Sequence, residues 1–382
     1  MVAMTNNAGI DTFLASYLYA LIGSHEPVNT VMHNDDEMFI FTLGQSRDRE
    51  QAIRHYMRTG KEFLDSVDQI VKWRFGGFDR IGSFLDFACG YGRFTRFLVN
   101  KLPAERVWVS DISPAAVSFQ EDQFHVHGVV SALQPDNVEF DRRFDCVFVL
   151  SLFSHLPEAT FTPWLRKLFG LMNETGVLIF TVHDESMRPD LSMPESGFWF
   201  AENSEIDTIS KRDYGTTIVT EAFVRAAIRE ASDGRASYRR VPRGAARHQD
   251  MYIVINGPVS EFSGFEYAWC PVGNLDVCKI SASNVLNLGG WAGDFTPGGK
   301  IDDIQVLIDG IMMQRCLPFA SRPDVVAFFN NDLRFSSSGF ACNCRIPEHT
   351  SDSSTLTVKV ISGTGLSTVI YHERIGQAGC VE

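Results

Sequence analysis

The segment FLDFACGYGRFTRFL, residues 84–98, limits what this chain can fold into more than any other stretch. It reads as a short buried strand, a turn with two glycines and a helix start. Phe84 and Leu85 are apolar and extended, Asp86 closes the strand, and Gly90 and Gly92 let the backbone approach a ligand where a Cβ would collide. A helix from about Arg93 is expected to aim its free N–H groups at that ligand. Nineteen residues past Gly92 a second apolar run, Val107, Trp108 and Val109, ends at Asp111, whose carboxylate can grip two ribose hydroxyls. The pair of signals predicts a nucleotide-binding floor.

A dinucleotide fingerprint carries a third glycine three residues after the second, whereas Gly92 is followed by Arg93, Phe94 and Thr95. NAD is therefore disfavoured. The chain resembles the class I S-adenosylmethionine-dependent methyltransferases, whose first motif is an acid, small residues and Gly-x-Gly, and whose second is an acid ending the next strand. The resemblance implies S-adenosylmethionine as cofactor, with the backbone near Ala88, Gly90 and Gly92 facing its methionine part, Asp111 at its ribose, and Asp86, Ile112 and Ser151 as further cofactor-binding residues. Ala88 stands where many members carry glycine.

The run FDCVFVLSLFSHL, residues 144–156, reads as a buried central strand leaving into a polar turn, and ligand sites sit at such carboxyl ends. Ser151, Ser154 and His155 lie there. A helical stripe through Trp164, Leu165, Leu168 and Phe169 follows, then the strand VLIFTVH, residues 177–183. This alternation predicts a parallel sheet covered on both faces. The wording DEMF at residues 36–39, YMRTG at 56–60, SLFSHL, FTVH, the pair Tyr214 and Gly215, and HQDMYIV at 248–254 is similar to a bacterial methyltransferase subgroup linked to surface-glycan synthesis. That likeness covers roughly residues 30–257 and implies a sugar or glycan acceptor.

The expected fold is α/β, a Rossmann-like seven-stranded methyltransferase sheet with an N-terminal helical extension and a C-terminal β-sandwich-like domain. Residues 1–80 are read as the helical extension, with Phe63, Leu64, Val67, Ile70 and Val71 at core spacing and Tyr56, Asp36 and Glu37 as lid or substrate candidates. Residues 81–257 are the cofactor domain, closed by the strand pair ASYRRVP and DMYIVIN. Its long insert, residues 187–214, holds Phe198, Trp199 and Phe200, either a substrate roof or loop anchors. From 258 to 382 short β-like runs predict the accessory domain. There Trp291 and Asp294 read as a buried tryptophan beside a turn acid, with sugar contact as the functional alternative.

Composition bounds the partners. With 382 residues and 45% apolar content the chain can bury sizeable cores. A net charge of −13 opposes nonspecific binding to nucleic acid or to an anionic membrane. The arginines 235, 239, 240, 243 and 247 read as a solvated strand face rather than an anion site. No apolar run is long enough for a membrane span, and Phe13 to Ile22 lacks a basic leader, so a cytoplasmic protein is expected, with its eight cysteines reduced. Oligomerisation is left open.

The expected chemistry is methyl transfer to a hydroxyl or amino group. His155 is the first candidate base because it follows the central strand at its ligand-facing end, and His183, beside Asp184 and Glu185, is the second. Trp199, Tyr214 and Tyr56 are the candidate acceptor contacts. No metal is expected, although Asp184 and Glu185 could hold Mg²⁺ and His125 with His127 could share a side. Two alternatives are a small-molecule methyltransferase unrelated to glycans and a non-catalytic glycan-binding scaffold with a relic cofactor domain.

Overall fold

Apolar runs of four to six residues that end in acids or glycines become the parallel strands of one unit. The computed structural model describes residues 12–23, 27–46, 48–203 and 209–377. The chain divides into a unit of Val31–Ser46 with Glu62–Glu266 and a unit of Met1–Thr30, Arg47–Lys61 and Tyr267–Glu382. Helices α1 (Thr12–Ile22), α2 (Glu37–Gln45) and α3 (Arg49–Phe75) fill the segment expected to be helical, which is divided between the two units. The five apolar residues from Phe63 to Val71 singled out above are all buried.

The first unit runs β1 (Phe84–Phe87), α4 (Thr95–Leu98), β2 (Val107–Asp111), α5 (Pro114–Phe124), β3 (His127–Val130), β4 (Phe144–Val149), α6 (Glu158–Gly170) and β5 (Met172–Val182). It continues through β6 (Phe198–Ala201), β7 (Thr216–Val219), α7 (Glu221–Ala231), β8 (Ala236–Ala245) and β9 (Gln249–Asn256). Seven strands form one sheet in the order β3-β2-β1-β4-β5-β9-β8. Neighbours from β3 to β5 pair parallel, and β9 runs antiparallel to both β5 and β8. This is the Rossmann-like methyltransferase sheet. The strand order reverses between β1 and β4, which opens a crevice at their carboxyl ends.

Both faces of β1 and β4 are buried, as central parallel strands require. One face packs Leu85, Val147, Val149, Leu178 and Phe180 against Phe161, Trp164, Leu165 and Leu168 of α6 and Val224 and Ile228 of α7. At the far edge Arg240 of β8 sits among three carboxylates, Asp184 at 2.8 Å, Asp250 at 2.7 Å and Glu221 at 2.8 Å. The side chains of Asp184 and Asp250 are only 3% and 1% exposed. One guanidinium therefore ties β5, β8, β9 and α7 together, and Arg240 is not part of a solvated face.

The second unit adds β10 (Val272–Ile280), β11 (Val285–Gly293), β12 (Ile301–Ile308), β13 (Ile311–Cys316), α8 (Pro323–Phe328), β14 (Gly339–Arg345), β15 (Thr355–Ser362) and β16 (Ser367–Arg374). They form two antiparallel sheets, β10-β11-β14 and β13-β12-β15-β16. Leu275, Leu286 and Leu288 of one sheet share a core with Ile304, Val306 and Val358 of the other, the packing of a sandwich. Trp291 is half-buried with its ring edge-on to Phe329 and Phe335, and buried Asp294 accepts the Thr296 N–H at 2.7 Å. Both residues are engaged in packing. The described cysteines are free thiols, and no described helix is long and apolar enough to cross a membrane.

Two stability predictions follow from buried polar groups. Arg240→Ala leaves two buried carboxylates without their cation and should lower stability by about 3–5 kcal/mol, read as a fall in the denaturation midpoint. His372 gives its Nε2–H to the Phe13 carbonyl at 3.0 Å, and burial, the largest cause, holds its pKa down to about 4. A histidine whose folded value is depressed contributes stability that is full above its unfolded value of about 6.5 and is lost as pH falls toward 4. The melting-temperature advantage of the native chain over His372→Gln should shrink between pH 7 and pH 4.5.

Candidate functional site

The β1 loop crosses the open end of the sheet in backbone angles that few side chains tolerate. Ala88, Gly90 and Gly92 have φ of 58°, 51° and 79°, all left-handed, and an alanine there stores about 1–2 kcal/mol of strain. The two glycines serve different ends. A Cβ on Gly90 would meet nothing within 4 Å, whereas one on Gly92 would strike Phe124 at 2.4 Å. Gly92 is thus a packing glycine against α5, and only Gly90 faces open space.

The loop is held from below by two buried side chains that its motif does not include. Gln120 Nε2 donates to the Gly90 carbonyl at 2.7 Å, and Arg96 donates to the carbonyls of Gly92 at 2.9 Å and Tyr91 at 3.2 Å. The helix expected from Arg93 is regular only over Thr95–Leu98, because Phe97 and Leu98 N–H groups both bond the Phe94 carbonyl and the turn tightens. Four residues of α4 leave the Gly90 turn itself to form this side of the crevice.

Asp111 closes β2 and meets that loop directly. Its Oδ2 accepts the Gly90 N–H and its Oδ1 the Ser113 N–H, each at 2.9 Å, which leaves each oxygen a further lone pair. Burial pushes its pKa up, against the backbone N–H groups of Ser113, Gly90 and Ile112. Ile112 follows, half-buried. Asp86, at the end of β1, takes the Thr95 hydroxyl at 2.7 Å, and burial raises its pKa to about 7. Glu37 is raised to about 7 as well, first by burial and then by the charge of Asp111. Asp36 caps α2 by accepting the Phe39 N–H at 3.0 Å, and His33 just before it stacks on Tyr91 at 4.5 Å.

A second cluster gathers at the carboxyl ends of β4 and β5. Ser151 sits at φ 62° and gives its N–H to Thr181 Oγ1 at 2.8 Å. The Thr181 hydroxyl donates to Gln249 Oε1. Gln249 Nε2 in turn faces Ser151 Oγ at 2.9 Å, Ser154 Oγ at 3.2 Å and His183 Nε2 at 3.2 Å, three partners that share its two N–H groups. His155 Nδ1 lies 2.7 Å from the Gly215 carbonyl. A carbonyl only accepts, so Nδ1 carries the proton and Nε2 the lone pair.

The segment through β7 holds these histidines in place. N–H groups of Gly215, Thr217 and Val219 bond the carbonyls of His155, Ser154 and His183 at 2.8–3.0 Å. Tyr214 lies flat on His155, ring centres 4.5 Å apart, and the two imidazoles are 6.2 Å apart. Burial is the first cause lowering both pKa values, His183 to about 4, where His155 and the Arg243 guanidinium add to the effect.

The structure therefore brings Asp86, Ala88, Gly90, Asp111 and Ile112 to one rim and Ser151, His155, His183 and Tyr214 to the next, in a single unit. Half-buried Trp199 stands on β6 opposite Ile218 of β7, while Phe198 anchors that hairpin on Phe161 and Phe223. Tyr56 is buried in the other unit. Asp184 is bound to Arg240, His125 caps α5 and His127 stacks on Trp108. Among the described residues no group of three His, Cys, Asp or Glu is placed to hold a metal ion.

Residues 85–178 match a family model described as a methyltransferase domain. A malonyl-[acyl-carrier protein] O-methyltransferase of Acetivibrio thermocellus is 29% identical over 98 residues, 25% of this chain and 34% of that protein, so the chain spans about a third of its length. An S-adenosylmethionine-dependent methyltransferase from Clostridium acetobutylicum is similar at 16% identity and a TM-score of 0.39, covering 52% of this chain and 92% of that one. DesVI of Streptomyces venezuelae is similar at 13% identity and a TM-score of 0.42, covering 59% and 100%. The stretch matched by the family model begins in β1 and reaches β5, within the unit whose seven-stranded sheet has the Rossmann-like methyltransferase fold.

Proposed function

We propose that the chain is an S-adenosylmethionine-dependent methyltransferase that acts on an acceptor hydroxyl or amino group. The observation that carries this reading is the open space over Gly90 beside a carboxylate that keeps unused lone pairs. Those residues fit a nucleoside. Asp111 would accept its ribose hydroxyls, with Ile112 alongside, and Ala88 and Gly90 would shape the floor next to Asp86 and Ser151, with Gly92 packed behind it on α5. When bound, the cofactor supplies an electrophilic methyl group on a sulfonium.

The rest falls to the protein. His155 presents an unprotonated Nε2, and its lowered pKa keeps that nitrogen free near neutrality, the state a general base needs to take a hydroxyl proton. The Gly215 carbonyl fixes the ring, and Tyr214 covers one of its faces. A hydroxyl acceptor fits this base better than a free amine, which needs less help. The O-methyltransferase name of the curated relative agrees with an oxygen acceptor. A sugar or surface-glycan hydroxyl is the acceptor class favoured by the sequence wording, with Trp199 as a further contact.

Titration calorimetry with S-adenosylmethionine and S-adenosylhomocysteine is the direct test, and absence of binding to both would favour a scaffold. Gly90→Ala should weaken binding at least tenfold for about 1–2 kcal/mol of stability. Gly92→Ala should instead cost about 3 kcal/mol or more of stability through overpacking on Phe124. Asp111→Ala should weaken cofactor binding by roughly 10- to 150-fold, as loss of charge-assisted hydrogen bonds does.

Labelled methyl donor incubated with fractionated lysate, glycans included, would identify the acceptor. With that acceptor His155→Ala should slow transfer by about 10²–10⁴-fold and leave S-adenosylhomocysteine affinity unchanged. The native rate should fall with acid only below the ordinary histidine value of about 6.5, and the variant should lose that limb.

A further inference from the structure

We propose that Gln249 is the positioning residue of this site: its amide N–H occupies His183 Nε2, withholding that lone pair from the acceptor and leaving His155 Nε2 as the imidazole base. The inference rests on the methyl-transfer reading for the word acceptor, but its hydrogen bonds stand without it.

The amide orientation is fixed by its neighbours. Thr181 Oγ1 already accepts the Ser151 N–H, and its proton goes to Gln249 Oε1. The end of the amide that faces Ser154 must be the NH₂ group. Ser154 sends its own proton to the Ser151 carbonyl at 2.7 Å, so it can only accept from Gln249. His183 Nε2, 3.2 Å from that NH₂, faces a group that can only donate and so holds a lone pair, which leaves the ring's N–H on Nδ1 for the bond to the Thr217 backbone. Both nitrogens of His183 are thus engaged, whereas His155 uses Nδ1 on Gly215 and keeps Nε2 available.

The charges around His183 favour the same division. His155 and Arg243 both oppose a proton on it. Its chain neighbour Asp184 is committed to Arg240, together with Asp250 and Glu221. A neutral donor at position 249 completes this arrangement, and a carboxylate there would reverse it by drawing a proton onto His183.

Imidazole ¹H–¹⁵N spectra of the full chain, titrated with acid, test the assignment in the native protein, Gln249→Glu and Gln249→Leu. In the native chain His183 should carry its proton on Nδ1 and titrate near pH 4. Gln249→Glu should move that midpoint to about 6.5 or above, and Gln249→Leu should move it upward by less. His155 should keep its Nδ1–H form in all three. A purely structural Gln249 would leave the His183 midpoint in place, or shift both histidines together. Either result overturns the proposal, as does a native His183 protonated on Nε2. If Gln249→Glu does not fold, Gln249→Leu decides by the same reading. S-adenosylhomocysteine binding, measured on the same samples, separates the two readings: no binding by the native chain defeats the methyl-transfer proposal and leaves the His183 result to stand or fall by itself.

Discussion

The hydrogen bond from the Gly90 N–H to Asp111 ties the loop after β1 to the end of β2 and sets the geometry of the whole crevice. The left-handed turn at Ala88 and Gly90 brings the amide round to the neighbouring strand. The bond also requires strands β1 and β2 to be parallel and in register, with Phe87 opposite Ser110. The buried Gln120 and Arg96 contacts then use the carbonyls that the turn exposes on its other side. One short bond thus links strand order, loop conformation and the supporting side chains.

Charge is handled differently at the two rims. Carboxylates concentrate near the β1 and β2 ends, where Asp86, Asp111 and Glu37 all have raised pKa values, burial being the first cause for each. The β4 and β5 ends hold two imidazoles kept neutral, and the nearby acids Asp184 and Asp250 are both paired with Arg240. A cationic ligand group is favoured at the first rim by simple electrostatics. The second rim suits proton uptake from a neutral group.

Much of the fold was legible because its signals are local. The buried runs ending at Asp86, Asp111 and His183 each sit in one strand, and the closing pair ASYRRVP and DMYIVIN appears as β8 and β9. The glycines were less transparent: Gly90 and Gly92 look alike in the sequence, and only the position of Phe124, thirty-two residues later, assigns one to packing and the other to the crevice. The helix after them is shorter than its apolar spacing suggests, because backbone bonding in the turn is mixed. Gln249 carried no signal of its own. Its partners lie on β5, just after β5 and in the turn after β4, and they converge only once β9 is inserted beside β5.

That insertion has a consequence for how such a site can vary. Because β9 runs against its neighbours, its first residue, not its last, reaches the ligand-facing rim. Gln249 is flanked there by His248 and Asp250, and side chains alternate along a strand. A single residue gained or lost in the turn from β8 would hand the rim to one of these ionisable neighbours. The uncharged character of this corner is therefore encoded as much in the length of a hairpin as in the identity of a side chain.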